Sequence, residues 1–201
     1  MLKIYGVPQS RAFRALWMAE ECGVPYENVP TSFKGDTRKP EFLAINPNGH
    51  IPAIDDNGLK LWESMAINLY LARKYGKEVA PKTIEEEGLA AQWSFWVMTA
   101  CEKHILSILV NRVMAPEDKR DPKAVEAAIE ALKRPMAVLE EALKKGGGHL
   151  MGGRFTVADL NVASVFSWAR AAKECLEPFP ALSAWLRDCL GRPAAKKATG
   201  R

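Results

Sequence analysis

A chain of 201 residues, 48% hydrophobic and 26% charged, is long enough for one large or two small domains with cores of their own. Its net charge of +4 is dispersed, without a long Lys/Arg block, which weighs against nucleic acid as a partner; no apolar run approaches a membrane span, so no membrane role is expected. The opening MLKIYG enters a strand pattern directly, without the apolar region of a signal peptide, and a cytoplasmic protein is expected.

Leu2 to Tyr5 reads as a first strand, broken by Val7-Pro8-Gln9. Ser10 then precedes an amphipathic helix with Phe13, Leu16, Trp17 and Glu20 at helical spacing, ending at Gly23. Tyr26 to Val29 is a second short strand, completing a β-α-β unit of the length a crossover needs. Thr31 to Ile45 is less regular, with a helical turn from Pro40 to Ile45. From Asn46 to Ala72 the run NPNGHIPAIDDNGLKLWESMAINLYLA reads as loop, strand, turn, strand and helix. Asn57-Gly58 sits between two apolar runs and tolerates the positive φ angles of a tight hairpin turn. Pro52 lacks an N–H, so it belongs at a strand edge or start, and the bond before it can be cis. Ser64 falls where a helix N-terminus presents unpaired N–H groups and partial positive charge, a ready carboxylate site. That helix closes at Tyr75-Gly76.

Residues 77–86 are charged, contain Pro81 and read as a linker; residues 87–201 read as all-helical. A helix from Gly88 to Val113 carries Trp93, Trp96, Val97, Cys101, Ile105 and Ile108. Asp121 as N-cap and Pro122 behind it open a second helix to Lys145, with Pro135 expected to kink it. Gly146-Gly147-Gly148 stops it; no Lys-Ser/Thr follows, so a phosphate cradle is disfavoured. Thr156 and Asp159 form an Asp variant of the capping box, opening a helix through Leu160, Val165 and Trp168. A last helix starts at Pro180 and ends at Gly191-Arg192-Pro193, leaving a tail expected to be mobile.

The order β-α-β-α-β-β-α of residues 1–76 resembles a thioredoxin-like domain, here α+β and followed by an all-α bundle. NPNGHIPAI and ESMAINLYL resemble the glutathione-binding half of the soluble glutathione transferases, whose pattern is roughly N-P-x-G-[KH]-[VI]-P-A-[LI] followed by E-S-x-A-I-x-x-Y-L. LMGGRFTVADL is similar to that family's L-x-G-x-x-[FY]-[ST]-x-A-D segment, with Gly153 where an acidic residue is common. The resemblance covers nearly the whole chain and is to a bacterial-like, serine-type member.

Glutathione chemistry needs a thiolate near neutral pH. A free thiol has a pKa of about 8.5, so the site must lower it by about two units, or about 2.7 kcal/mol. One hydroxyl hydrogen bond to the thiolate supplies about 1.5–3 kcal/mol and a helix N-terminus about 0.3–1 kcal/mol, so a single serine at the first helix suffices. From its local sequence alone Ser10 reads more readily as a cap of its own helix than as a catalytic group. The resemblance implies the catalytic hydroxyl, in the run Pro8-Gln9-Ser10-Arg11. Tyr5 is the rival hydroxyl, since other branches use a tyrosine near the first strand's end; taken alone it is a core aromatic. Arg11 and Arg14 could add positive potential, and Arg11, adjacent to Ser10, is preferred.

The resemblance further implies that Glu63 and Ser64 hold the γ-glutamyl end of glutathione. Ile51 would offer its main chain to the cysteinyl part, in the manner of strand addition, with a cis Pro52 exposing it. His50 matches the position that reaches the glycyl carboxylate, with Lys34 a weaker candidate. Trp96, Thr99, Lys103 and Val7 are expected walls for the second substrate. The four cysteines form no C-x-x-C and the three histidines are scattered, so no metal is expected. Cys101 reads as a packing thiol. The expected activity is conjugation of glutathione, as co-substrate, to electrophilic, largely apolar small molecules, by a homodimer. Alternatives are a glutathione-dependent isomerase, dehalogenase, ether-cleaving enzyme or peroxidase, or a non-catalytic binding or docking scaffold. Ser10, where reductase-type relatives carry Cys, argues against thiol-disulfide exchange.

Overall fold

Leu2 and Ile4 are buried while Lys3 and Tyr5 are half-exposed, and this period of two places the first strand, β1 (Leu2–Tyr5), at the heart of a sheet. The structure is a computed structural model and describes residues 1–200. The chain forms two compact units, one of residues 1–82 with 191–200 and one of residues 83–190.

In the first unit β1 leads to α1 (Ala12–Cys22), β2 (Tyr26–Val29) and the short α2 (Pro40–Leu43). β3 (Ala53–Asp56), β4 (Leu59–Trp62) and α3 (Ser64–Tyr75) follow. The four strands lie in the order β2-β1-β3-β4. β1 runs parallel to β2 and antiparallel to β3, with Ile4 opposite Asn28 and Ile54, so the crossover and hairpin expected from sequence meet in one mixed, thioredoxin-like sheet. Asn57 and Gly58 turn the β3–β4 hairpin at φ 54° and 97°. α1 ends at Gly23, whose N–H bonds to the Ala19 and Glu20 carbonyls.

The second unit is helical. α4 (Ile84–Trp96) continues through a π-helical segment, Val97–Cys101, into α5 (Glu102–Leu109) and a second π-helical segment, Val110–Met114. α6 (Pro122–Lys145), α7 (Val157–Phe166) and α8 (Pro180–Gly191) complete it. Every residue of α7 is buried, which makes it the core helix of this unit. Thr156 and Asp159 cap it reciprocally, and Asp159 also accepts from Leu150 N–H and Trp185 Nε1, both at 3.0 Å. Asp121 caps α6 as expected, accepting from the N–H groups of Lys123 and Ala124, and Pro135 lies inside that helix.

Two boundaries differ from the sequence expectation. α4 begins inside the charged stretch read as a linker, because Thr83 accepts the Glu86 N–H and three glutamates occupy the first turn, where the helix dipole favours negative charge. The tail read as mobile forms α9 (Pro193–Ala198), which packs on α1 in the first unit. Ala195 and Ala198 are 1% and 3% exposed. Arg192 grips Glu21 with two hydrogen bonds of 2.6 and 2.7 Å, and Lys197 pairs with Glu20 at 2.7 Å.

Candidate functional site

The loop after β1 is drawn tight by Gly6. Its φ is +137°, and an added Cβ would lie 2.4 Å from the Ala12 Cβ and 3.3 Å from the Ile51 Cβ. Only glycine allows that approach, and it packs the turn carrying Ser10 against the loop carrying Ile51 and Pro52. The Ser10 hydroxyl donates to the Val7 carbonyl at 2.7 Å and accepts the Ala12 N–H at 3.1 Å, so it stitches the entry to α1. Arg11 has helical backbone angles at the N-cap of α1 and is half-buried.

Tyr5 lies in an apolar cluster with Val7, Phe42, Ile45, Ile51 and Ala53, its ring edge-on to Phe42 at 6.1 Å. Burial pushes its hydroxyl pKa upward. Ile51 is 9% exposed and joined to Pro52 by a cis bond. It precedes β3, an inner strand of the sheet. Buried Asn46 donates to the His50 carbonyl at 2.7 Å and accepts the Asn48 N–H at 3.0 Å, closing the loop that exposes the His50 side chain. Gly49 holds φ at +64°, and a Cβ there would come 2.7 Å from Arg38 Nη1 and 2.9 Å from the Thr37 carbonyl. Arg38 therefore leans against the His50 loop. Lys34 is exposed in the preceding turn, its N–H bonded to Ser32 Oγ at 3.1 Å.

Glu63 and Ser64 open α3. Glu63 is exposed, with φ 70° and ψ 114°, a conformation uncommon for a residue with a side chain. Ser64, at the first helical position, is 4% exposed, and its Oγ accepts from Arg14 Nη1 at 3.2 Å. Arg14 lies one helical turn beyond Ser10, so the Ser10 turn and the start of α3 are connected through a single side chain. Sequence reasoning preferred Arg11; the usable signal was an arginine inside the apolar run Ala12-Phe13-Arg14-Ala15-Leu16. Arg38 and Asn46 were not singled out at all. Asn46 stands inside the NPNGH motif, and Arg38 carries no local signal because its approach to Gly49 depends on loop closure.

Of the residues expected to wall a second substrate, Thr99 is exposed in the first π-helical segment and bonds the Phe95 carbonyl at 2.9 Å. Trp96 packs edge-on to Trp93 at 5.1 Å, and Lys103 is exposed. Cys101 is fully buried, and burial pushes its thiol up to about 12, a packing thiol rather than a nucleophile. Among the described residues no group of three or more His, Cys, Asp or Glu is arranged to hold a metal ion, and no helix is long and apolar enough to cross a membrane.

Residues 1–73 match the family model of the glutathione S-transferase N-terminal domain, and residues 122–188 that of the C-terminal domain. A probable glutathione S-transferase of Oryza sativa subsp. japonica is 34% identical over 98% of this chain and 94% of its own length. The theta class glutathione S-transferase from Xanthomonas axonopodis pv. citri, solved with glutathione bound, superposes with a TM-score of 0.90 at 31% identity, covering 100% of this chain and 97% of that one. Glutathione S-transferase I from maize, in complex with an atrazine glutathione conjugate, superposes with a TM-score of 0.88 at 32% identity over 99% and 96% of the two chains. With both family domains matched in order and relatives aligned end to end, this chain belongs to the glutathione S-transferase family.

Proposed function

We propose that this chain conjugates the thiolate of glutathione to electrophilic, largely apolar small molecules, and that it is a serine-type transferase using Ser10. The observation that carries the reading is the start of α3. A buried Ser64 at the first helical position follows Glu63 in a strained left-handed conformation, which suits a carboxylate at the helix N-terminus and an ammonium beside Glu63. The main chain of Ile51 takes the cysteinyl part by strand addition. His50 takes the glycyl carboxylate, with Arg38, which leans on the same loop, a better-placed cation than Lys34.

The sulfur then lies at the Ser10 turn. Ser10 exchanges its hydrogen bond to the Val7 carbonyl for one to the thiolate, a neutral acceptor for a charged one. Arg11, next along the chain, adds positive potential. Tyr5 remains a packing residue beneath Ile51, as its contacts with Phe42 support. The thiols of Cys22, Cys101 and Cys175 suit a reducing, cytoplasmic setting. A homodimer is favoured by the edge strand β4, where Leu59 and Trp62 are 46% and 38% exposed; a sedimentation measurement giving a monomer at micromolar concentration removes that part.

The test is retention on immobilised glutathione, followed by rates with a chromogenic aromatic halide. Ser10→Ala is expected to lower kcat/KM by about 10- to 100-fold, the worth of a hydrogen bond to a charged group. It is also expected to move the midpoint of the pH–rate profile upward by about one to two units, because the thiolate loses its donor. An unmoved profile in Ser10→Ala with a loss in Tyr5→Phe transfers the role to Tyr5. A chain that passes through the glutathione column unretained overturns the reading.

A further inference from the structure

α1 carries an arginine where its neighbours are apolar. Phe13, Ala15 and Leu16 are buried around Arg14, and Arg14 itself is 1% exposed. A guanidinium is costly to bury, and such residues are almost never fully buried without specific partners. Arg14 Nη1 donates to Ser64 Oγ at 3.2 Å across 50 positions of sequence. Asn68, one turn further along the same face of α3, is also fully buried. The Arg14–Ser64 hydrogen bond thus joins α1 to the end of α3 where backbone N–H groups lack helical acceptors.

The direction of this hydrogen bond has a chemical consequence. A serine hydroxyl has one proton and two acceptor sites, whereas a guanidinium has donors only. Arg14 occupies one acceptor site of Ser64 Oγ, so the hydroxyl proton cannot be spent on Arg14 and points elsewhere. We propose that Arg14 is a positioning residue for glutathione: it holds the Ser64 hydroxyl as a donor aimed at the γ-glutamyl α-carboxylate and adds a fixed positive charge at the N-terminus of α3. This rests on the reading that the γ-glutamyl carboxylate binds at Ser64. Arg14 acts through Ser64 and through the field at the helix end, not by contact with the sulfur.

The experiment compares binding of glutathione with binding of γ-aminobutyryl-cysteinyl-glycine, the same molecule without its α-carboxylate, by titration calorimetry. Wild type is expected to prefer glutathione. Arg14→Met is expected to weaken glutathione by about 10- to 100-fold. The analogue is expected to change by less than about twofold, and the double variant with Ser64→Ala to lose clearly less than the sum of the two single variants, because only the field of Arg14 acts without Ser64. KM for glutathione rises while kcat at saturation holds, since the lost contact serves binding alone. Equal weakening of both ligands, no weakening, or additive losses in the double variant make Arg14 a packing residue and overturn the proposal. A wild type that binds both ligands equally overturns the carboxylate reading itself, and the proposal with it. Should Arg14→Met not fold, Arg14→Lys, which keeps the charge and a shorter donor, is read in the same way: a smaller but still selective loss supports the proposal, an unselective one overturns it.

Discussion

Glu63 is held at φ 70° and ψ 114° at the mouth of α3. Such backbone strain costs about 1–3 kcal/mol and persists only where surrounding structure over-determines it. Here the hairpin arrives from Trp62 on one side, and Ser64 is locked below by Arg14 on the other. Replacing Glu63 by glycine relieves the steric part of the strain, while the unfolded chain gains about 0.4–1 kcal/mol of conformational freedom that offsets some of it. Glu63→Gly is therefore expected to be no less stable than wild type in denaturant unfolding, yet, on the proposed binding mode, to bind glutathione about tenfold more weakly through loss of the carboxylate assigned to the ammonium. A stability loss of more than about 1 kcal/mol would show that the side chain, not the backbone, is what the fold needs there.

The far side of α3 shows how an element is tied to the sheet it packs on. Asp56, the last residue of β3, is 2% exposed and accepts hydrogen bonds from Lys74 Nζ at 2.7 Å, Tyr70 at 2.8 Å and Tyr75 at 2.9 Å. Burial pushes the carboxyl pKa up, but the bonds from Lys74, Tyr70 and Tyr75 outweigh it, and the group sits below its ordinary value. A depressed carboxylate stabilises the fold fully above its unfolded pKa of about 3.9, and that stability is lost as pH falls through the lower folded value. Asp56→Asn is expected to cost about 1.5–3 kcal/mol at pH 7, with the gap to wild type narrowing below about pH 4. Urea unfolding at pH 7 and pH 3 reads this directly; a gap that does not narrow means the charge is not what Asp56 contributes. At this scale the sequence was informative wherever the signal is local. The Asn57-Gly58 turn, the Asp121 cap and the Thr156–Asp159 box each depend on residues within one turn of each other, and each forms as its pattern predicts. The buried polar contacts were opaque. Arg14 reaches Ser64, and Asp56 gathers Tyr70, Lys74 and Tyr75, only after strands and helices distant in sequence have packed.

Across the whole chain the same distinction governs what was legible. The bend at Ile51-Pro52 and the helix start at Glu63-Ser64 were readable because each is a short run with its own backbone signature, whereas the return of the chain's last helix to its first was not. Pro193-Ala194-Ala195-Lys196-Lys197-Ala198 is too short and too polar to announce a buried face. That face exists because Ala195 and Ala198 are small enough to sit close against α1, and because Glu21, whose side chain is only 6% exposed, needs the guanidinium of Arg192. Glu21 also accepts from Trp17 Nε1 at 2.9 Å, so the clasp holds the buried indole of α1 in place. Arg192→Ala leaves a largely buried carboxylate with one neutral donor in place of a bidentate cation, and is expected to cost about 1–3 kcal/mol. Deleting residues 193–201 should cost more, since it uncovers α1 as well. Because α1 is the helix that follows Ser10 and carries Arg14, its loosening should appear in two readouts together: faster amide hydrogen exchange along Ala12–Cys22 and weaker glutathione binding. Protection of α1 that survives the deletion unchanged would mean that the first unit stands without α9.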